Sequence, residues 1–104
     1  MSQFDVFVNP MSRARRVYPY VAILQSDSAD TGRQRIVAPL APKSRLPGVV
    51  GRLTPHVRAL DTDLVLVVPH LASVPSAELV ESRGHLRDYR DAILAPVDYL
   101  FLGV

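Results

Sequence analysis

The chain has 104 residues, 48% of them hydrophobic and 21% charged, the size and balance of one globular domain with a single modest core rather than a long disordered segment. It contains no cysteine, so disulfides, thiolate nucleophiles and Cys-based zinc sites are excluded. The formal net charge of +2 hides an asymmetry: between residues 13 and 58, Arg13, Arg15, Arg16, Arg33, Arg35, Lys43, Arg45, Arg52 and Arg58 stand against only Asp27 and Asp30, whereas from Ala59 onward three arginines face seven carboxylates.

Basicity carried almost wholly by arginine suits planar recognition of carboxylate or phosphate. Two explanations of the asymmetry stay open. The halves neutralise each other across the fold or a subunit interface, or the basic half meets an acidic partner or a nucleic-acid-containing complex. No stretch approaches the roughly 18 apolar residues of a membrane span, and "MSQFDVFVNP" lacks a basic n-region and an apolar h-region. A single domain over 1–104, located in the cytoplasm and without a membrane segment, is the expectation.

From the N-terminus, "QFDVFV" (3–8) alternates, with Phe4, Val6 and Val8 on one face and Gln3, Asp5 and Phe7 on the other, which predicts a half-buried strand. "YVAILQ" (20–25), "QRIVAPL" (34–40), "HVRAL" (56–60) and "LVLVV" (64–68) follow as further strands, separated by the turn signals "NPMS", "SDSADTG", "PKSRLPG", "DTD" and "PHLASVP". Connections this short predict antiparallel pairing, because parallel crossovers need a dozen or more residues. Pro39 lacks an N–H and is expected at a sheet edge or a bulge.

After "SVPSAELVESRG" the period changes. Leu86, Tyr89, Ile93, Val97, Leu100 and Val104 are spaced as one buried stripe of a helix, with Arg87, Asp88, Arg90 and Asp91 on the polar side and an Arg87–Asp91 pair one turn apart. Pro96 then either kinks this helix or ends it near Leu94 and opens a short second one.

Catalytic signatures are missing. His56, His70 and His85 share no metal-ligand spacing, and the glycines are too scattered for a phosphate loop. No metal, cofactor or catalytic group is expected. The densest polar stretch, "QSDSADTGRQR" (25–35), reads as a turn in which Asp27, Asp30 and Thr31 bond their own backbone, or as a polar lip beside a binding surface. Arg33 or Arg35 with Asp30 is the one set that could support 2′-hydroxyl attack on RNA.

"LQSDSADTGRQRIVAPLAP" (24–42), "LTPHV" (53–57) and "HLASVP" (70–75), followed by a C-terminal helix ending aromatic-x-Gly-aliphatic, resemble the CcdB family of toxins in order and spacing over almost the whole chain. The resemblance implies an SH3-like, mainly antiparallel β fold with a C-terminal α-helix, assembled as a homodimer. It implies a non-enzymatic toxin that binds the A subunit of DNA gyrase, traps the gyrase–DNA cleavage complex and is neutralised by an acidic, CcdA-like antitoxin, without specific DNA binding of its own. Carried over residue by residue, the gyrase contacts are Asp30, Leu102, Gly103 and Val104. Arg13, Arg15, Arg16 and Phe101 are the expected antitoxin contacts.

The chain departs from the family pattern in several places. Leu102 stands where the family has tryptophan, Ser28 and Ala29 replace aliphatic residues, Asp98 replaces asparagine, and Pro96 enters the helix. Exchanging a buried aromatic anchor for leucine costs roughly a few kcal/mol of binding. Two alternatives follow: an mRNA-cleaving toxin like the related MazF and Kid proteins, resting on Arg33, Arg35 and Asp30, or a non-toxic homologue that keeps the dimer and the antitoxin.

Overall fold

The computed structural model describes residues 1–30, 32–49 and 51–104. Its elements run β1 (Asp5–Val8), β2 (Tyr20–Ile23), β3 (Gln34–Pro42), β4 (His56–Ala59), β5 (Thr62–Leu66), β6 (Ala72–Pro75), β7 (Ser82–His85) and α1 (Arg90–Leu102). The strands form one antiparallel sheet in the order β4-β5-β3-β2-β1-β7, with β6 paired to β3. The mainly β fold with a C-terminal helix is therefore the observed one.

Alternation along the strands produces two apolar layers. Val6, Ala22, Ala38, Leu40, Leu64 and Leu66 face the main core, which α1 closes with Ile93. Phe7, Val21, Ile23 and Val37 turn to the other face, where Val74 and Leu79 cover them in a second, smaller cluster. Both faces of β1 are thus buried at Val6 and Phe7, so the strand is less one-sided than its alternation suggests. Phe4 precedes it in a left-handed conformation (φ 71°). Its N–H donates to the Ile23 carbonyl at 2.7 Å and its carbonyl accepts from Leu86 at 2.8 Å. Those bonds, and burial of the ring, hold a backbone geometry that is costly for a non-glycine residue.

The sheet curls. The β4–β5 hairpin turns on Leu60 and Asp61, both left-handed (φ 56° and 57°), as a two-residue type I′ turn requires. The turn lies one residue earlier than "DTD". Leu60 reaches across to β7, where Gly84 (φ 122°) sits opposite Val6 at an irregularity in the β1–β7 register. Tyr89, just before α1, accepts the Arg58 N–H at 3.0 Å from the same hairpin, so the two ends of the strand order approach each other.

Pro39 is neither at an edge nor in a bulge. It lies in the middle of β3, opposite Val21 of β2. Its carbonyl accepts the Val67 N–H at 2.9 Å, so its nitrogen faces the side where the partner of β3 changes from β6 (Gln34 to Val37) to β5 (Leu40 to Pro42). At that fork neither strand needs a donor from residue 39. β6 and β7 occupy stretches that the sequence marks as connections. Ala-Ser-Val-Pro of β6 ends in proline, and Ser-Arg-Gly-His of β7 is exposed throughout, so neither shows a hydrophobic period.

α1 runs unbroken through Pro96, which is buried. The helix neither stops at Leu94 nor restarts. With Ile93 and Pro96 buried and Val97 and Leu100 packed against the core, Pro96 falls on the inner stripe at an i, i+3 spacing. The first turn differs from expectation: Arg87–Tyr89 forms a 3-10 turn, and the ion pairs among the described residues are Arg35–Asp30, Arg58–Asp63 and Arg83–Glu81, without Arg87–Asp91. No helix among them is long and apolar enough to cross a membrane.

Candidate functional site

α1 ends because Gly103 turns left-handed (φ 74°) and gives its N–H to the Tyr99 carbonyl at 2.9 Å. This C-terminal glycine stop is cheap for a residue without a Cβ. It also corrects the expectation for Val104. The period places Val104 on the inner stripe, but beyond the glycine the chain leaves the helical path and Val104 is 79% exposed. Phe101 and Leu102, on the outer side of the last turn, are 66% and 70% exposed. The described terminus therefore has an inner side that closes the core, at Ile93, Pro96, Val97 and Leu100, and an uncovered apolar end. Arg52 stacks on the Tyr99 ring at 3.9 Å from its centroid, pinning the helix's last turns to the loop that precedes β4.

The polar turn lies beside this end. Ser26 caps a 3-10 turn over Asp27–Ala29 by accepting the Ser28 N–H at 3.2 Å. Asp27 bonds a remote backbone instead of its own, accepting the Gln3 N–H at 2.9 Å. Asp30 accepts the Gly32 N–H at 2.6 Å, and both nitrogens at the end of the Arg35 guanidinium donate to its two oxygens. The Arg35 bonds, and next the Gly32 N–H, hold the Asp30 carboxyl below its ordinary value. Arg35 itself is only 8% exposed. The expectation for Thr31 falls outside the described residues.

Gln25 braces the turn, donating to the Ala29 carbonyl and accepting the Ile36 N–H at 3.2 Å. Sequence reasoning gives Gln25 no role; its position two residues before Asp27 is the available signal. Between turn and helix runs a mostly apolar groove of about 370 Å³, lined by Leu24, Ala29, Ile36, Leu71, Val97 and Phe101 among others. The structure thus brings Phe101 to the turn that carries Asp30, with Leu102, Gly103 and Val104 immediately beyond.

The arginine loop is a separate place. Residues 9–19 wrap around buried Asn9, which donates to the Tyr18 carbonyl and accepts the Met11 N–H, both at 2.9 Å. Arg15 is spent on this loop: its Nε donates to the Asn9 carbonyl, and it lines a cleft shared with Glu78 and Glu81. Arg13 and Arg16 are exposed. The four residues expected to meet one acidic partner therefore divide into an arginine loop and the helix end.

Arg35 is committed to Asp30, so a carboxylate that would act as base is already an ion-pair partner. His56, His70 and His85 lie on β4, after β5 and on β7, and no group of three histidine or acidic residues converges among the described residues.

No curated protein matches the chain. A family model described as CcdB protein matches residues 3–103, nearly the full length. Together with the curled antiparallel sheet and its terminal helix, that match establishes that the chain belongs to the CcdB family.

Proposed function

We propose that this protein is the toxin of a type II toxin–antitoxin pair, a homodimer that binds the A subunit of DNA gyrase, traps the gyrase–DNA cleavage complex and is neutralised by an acidic, CcdA-like antitoxin. The observation that carries this reading is the uncovered apolar end of α1, continuous through Phe101 with the groove beside the Asp30 turn. A contiguous apolar surface of this kind marks an interaction site. Leu102, Gly103 and Val104, with Asp30 held in place by Arg35, are the proposed gyrase contacts. Burying a leucine contributes about 1.5–3 kcal/mol, enough to anchor a small interface at the position of the family's tryptophan.

Arg13 and Arg16, with Phe101, are the antitoxin contacts in this reading, and Arg15 supports the loop that presents them. Binding an acidic peptide there should weaken as salt rises.

Expression in a gyrase-sensitive cell is expected to arrest growth with DNA damage, and purified protein to retain the A subunit of gyrase. Deleting Leu102–Val104 should abolish both while leaving a folded dimer. Leu102→Trp should strengthen gyrase binding. Undiminished toxicity of the truncated chain would overturn the assignment of the terminus. RNA cleavage abolished by Arg35→Ala would favour the nuclease instead, and antitoxin binding without growth arrest would identify a homologue that has lost its target.

A further inference from the structure

A further polar cleft has a lining that shares no residue with the terminal groove or with the arginine loop. Lys43, in the 3-10 turn that follows β3, meets His56, Val57 and Arg58 of β4, Asp63 of β5 and Tyr89 in an open cleft of about 270 Å³. At about 30 Å³ per water, it has room for a small oxyanion and part of its hydration shell. Its lining is rich in hydrogen-bond donors. Tyr89 is the best fixed: its ring packs against the core, and its oxygen accepts the Arg58 N–H at 3.0 Å, which leaves the phenolic proton to be donated elsewhere. The one carboxylate in the lining, Asp63, is matched by Arg58 Nη1 at 3.0 Å. That pair is exposed on both sides, with side chains 61% and 67% accessible, so Arg58 can turn its remaining N–H groups to a ligand. Lys43 then stands as positive charge in excess of the cleft's own acid.

We infer that this cleft between Lys43, Arg58 and the Tyr89 hydroxyl binds phosphate, either as a free phosphomonoester or as a phosphate of a nucleic-acid backbone. The donors come from three separate segments, and an ammonium, a guanidinium and a phenol together offer more N–H and O–H groups than the two coplanar oxygens of a carboxylate can accept, which suits a tetrahedral oxyanion with several acceptor oxygens. A single phosphate contact positions a partner without reading sequence. The inference stands independently of the toxin reading.

The test is an amide NMR titration of the intact protein with inorganic phosphate, at ionic strength held constant with chloride. Shift changes should saturate and centre on residues 43, 56–58, 63 and 89. Lys43→Gln should weaken binding about two- to fivefold, the equivalent of one exposed ion pair, and Tyr89→Phe should weaken it further, with folding of each variant checked by its amide spectrum. A nucleoside monophosphate and a short oligonucleotide, compared at equal phosphate concentration, separate the sources: tighter binding of the oligonucleotide assigns a backbone phosphate, and equal or tighter binding of the monophosphate assigns a free one. Non-saturating or diffuse shifts, an unchanged affinity in the Lys43→Gln/Arg58→Gln double variant, or equal affinity for acetate or a Glu-rich peptide would each overturn the assignment.

Discussion

The turn at residues 26–35 and the end of α1 border the same groove and are built on opposite terms. In the turn, the polar groups Asp30, Asp27 and Ser26 are satisfied from within the chain: Asp30 by Arg35 and Gly32, Asp27 by Gln3, Ser26 by Ser28, with Gln25 bracing the backbone. At the helix end, Phe101, Leu102 and Val104 are apolar and uncovered. That contrast decides which of the two can contribute affinity. A carboxylate already paired gains little by exchanging partners, because it has to give up Arg35 first. An exposed leucine or phenylalanine has only water to lose. On this reading the turn supplies shape and the terminus supplies energy, and substitutions in the two regions should separate folding from binding.

The widest separation lies within α1 itself. Ile93→Ala removes a fully buried side chain from the core and should cost about 2–5 kcal/mol of stability, read from the urea midpoint. Leu102→Ala, nine positions on, should change stability by no more than about 0.5 kcal/mol while removing most gyrase binding. If Leu102→Ala instead unfolds the protein as Ile93→Ala does, the terminus belongs to the core and the distinction collapses.

Arg35→Ala comes next. It removes an almost buried side chain and leaves Asp30 without its partner, so the thermal midpoint should fall by more than in Leu102→Ala and by less than in Ile93→Ala. Gyrase binding should weaken only as far as the turn loosens. Complete loss of binding with little loss of stability would instead show that the arginine contributes to the contact directly.

A smaller effect separates the charge from the shape of the turn. Because Arg35, and then Gly32, hold the Asp30 carboxyl below its ordinary value, the pairing contributes stability that is complete above the unfolded aspartate value of about 3.9 and is lost as pH falls through the lower folded value. Asp30→Asn removes that dependence. Thermal midpoints of the two proteins should differ at neutral pH and converge in acid, the wild-type curve falling more steeply on its acid side. Parallel curves would mean that Asp30 titrates alike in folded and unfolded chains, and that its pairing with Arg35 adds nothing in water.

Much of this architecture is legible in the sequence because burial there is periodic. β1 to β5 announce themselves by alternation or by valine-rich runs between turn residues, and α1 by its spacing of three and four. What escapes has a physical reason in each case. β7 is exposed along its whole length and carries a glycine, so nothing in Ser-Arg-Gly-His repeats. Pro39 reads as an edge residue because a central strand normally needs its donor, and only the tertiary fork between β5 and β6 removes that need. Val104 continues a helical stripe that Gly103 has already ended. At the site, Asp30 stands out as a polar residue in a turn. That Arg35 rather than Arg33 is its partner depends on how β3 leaves the turn, a register that no local pattern reports.

The slightest change concerns the helix that carries the terminus without belonging to either surface. Pro96 removes the bond that residue 96 would give to the Ala92 carbonyl, at about 3 kcal/mol relative to alanine in a helix interior. Pro96→Ala restores that bond but loses the buried ring, at about 0.8 kcal/mol per methylene, and regains unfolded-chain entropy at about 0.4–1 kcal/mol. The terms leave a net gain of about 0.5 kcal/mol, measurable as a small rise in the urea midpoint, with Leu102 and Val104 as exposed as before and gyrase binding unchanged. A fall of about 1 kcal/mol or more would show that the proline ring serves the core better than the bond it displaces. A change in gyrase binding at unchanged stability would be the more damaging result, because it would mean that the course of α1 around Pro96 sets the direction in which the terminus is presented, and that helix and terminus are not separable parts.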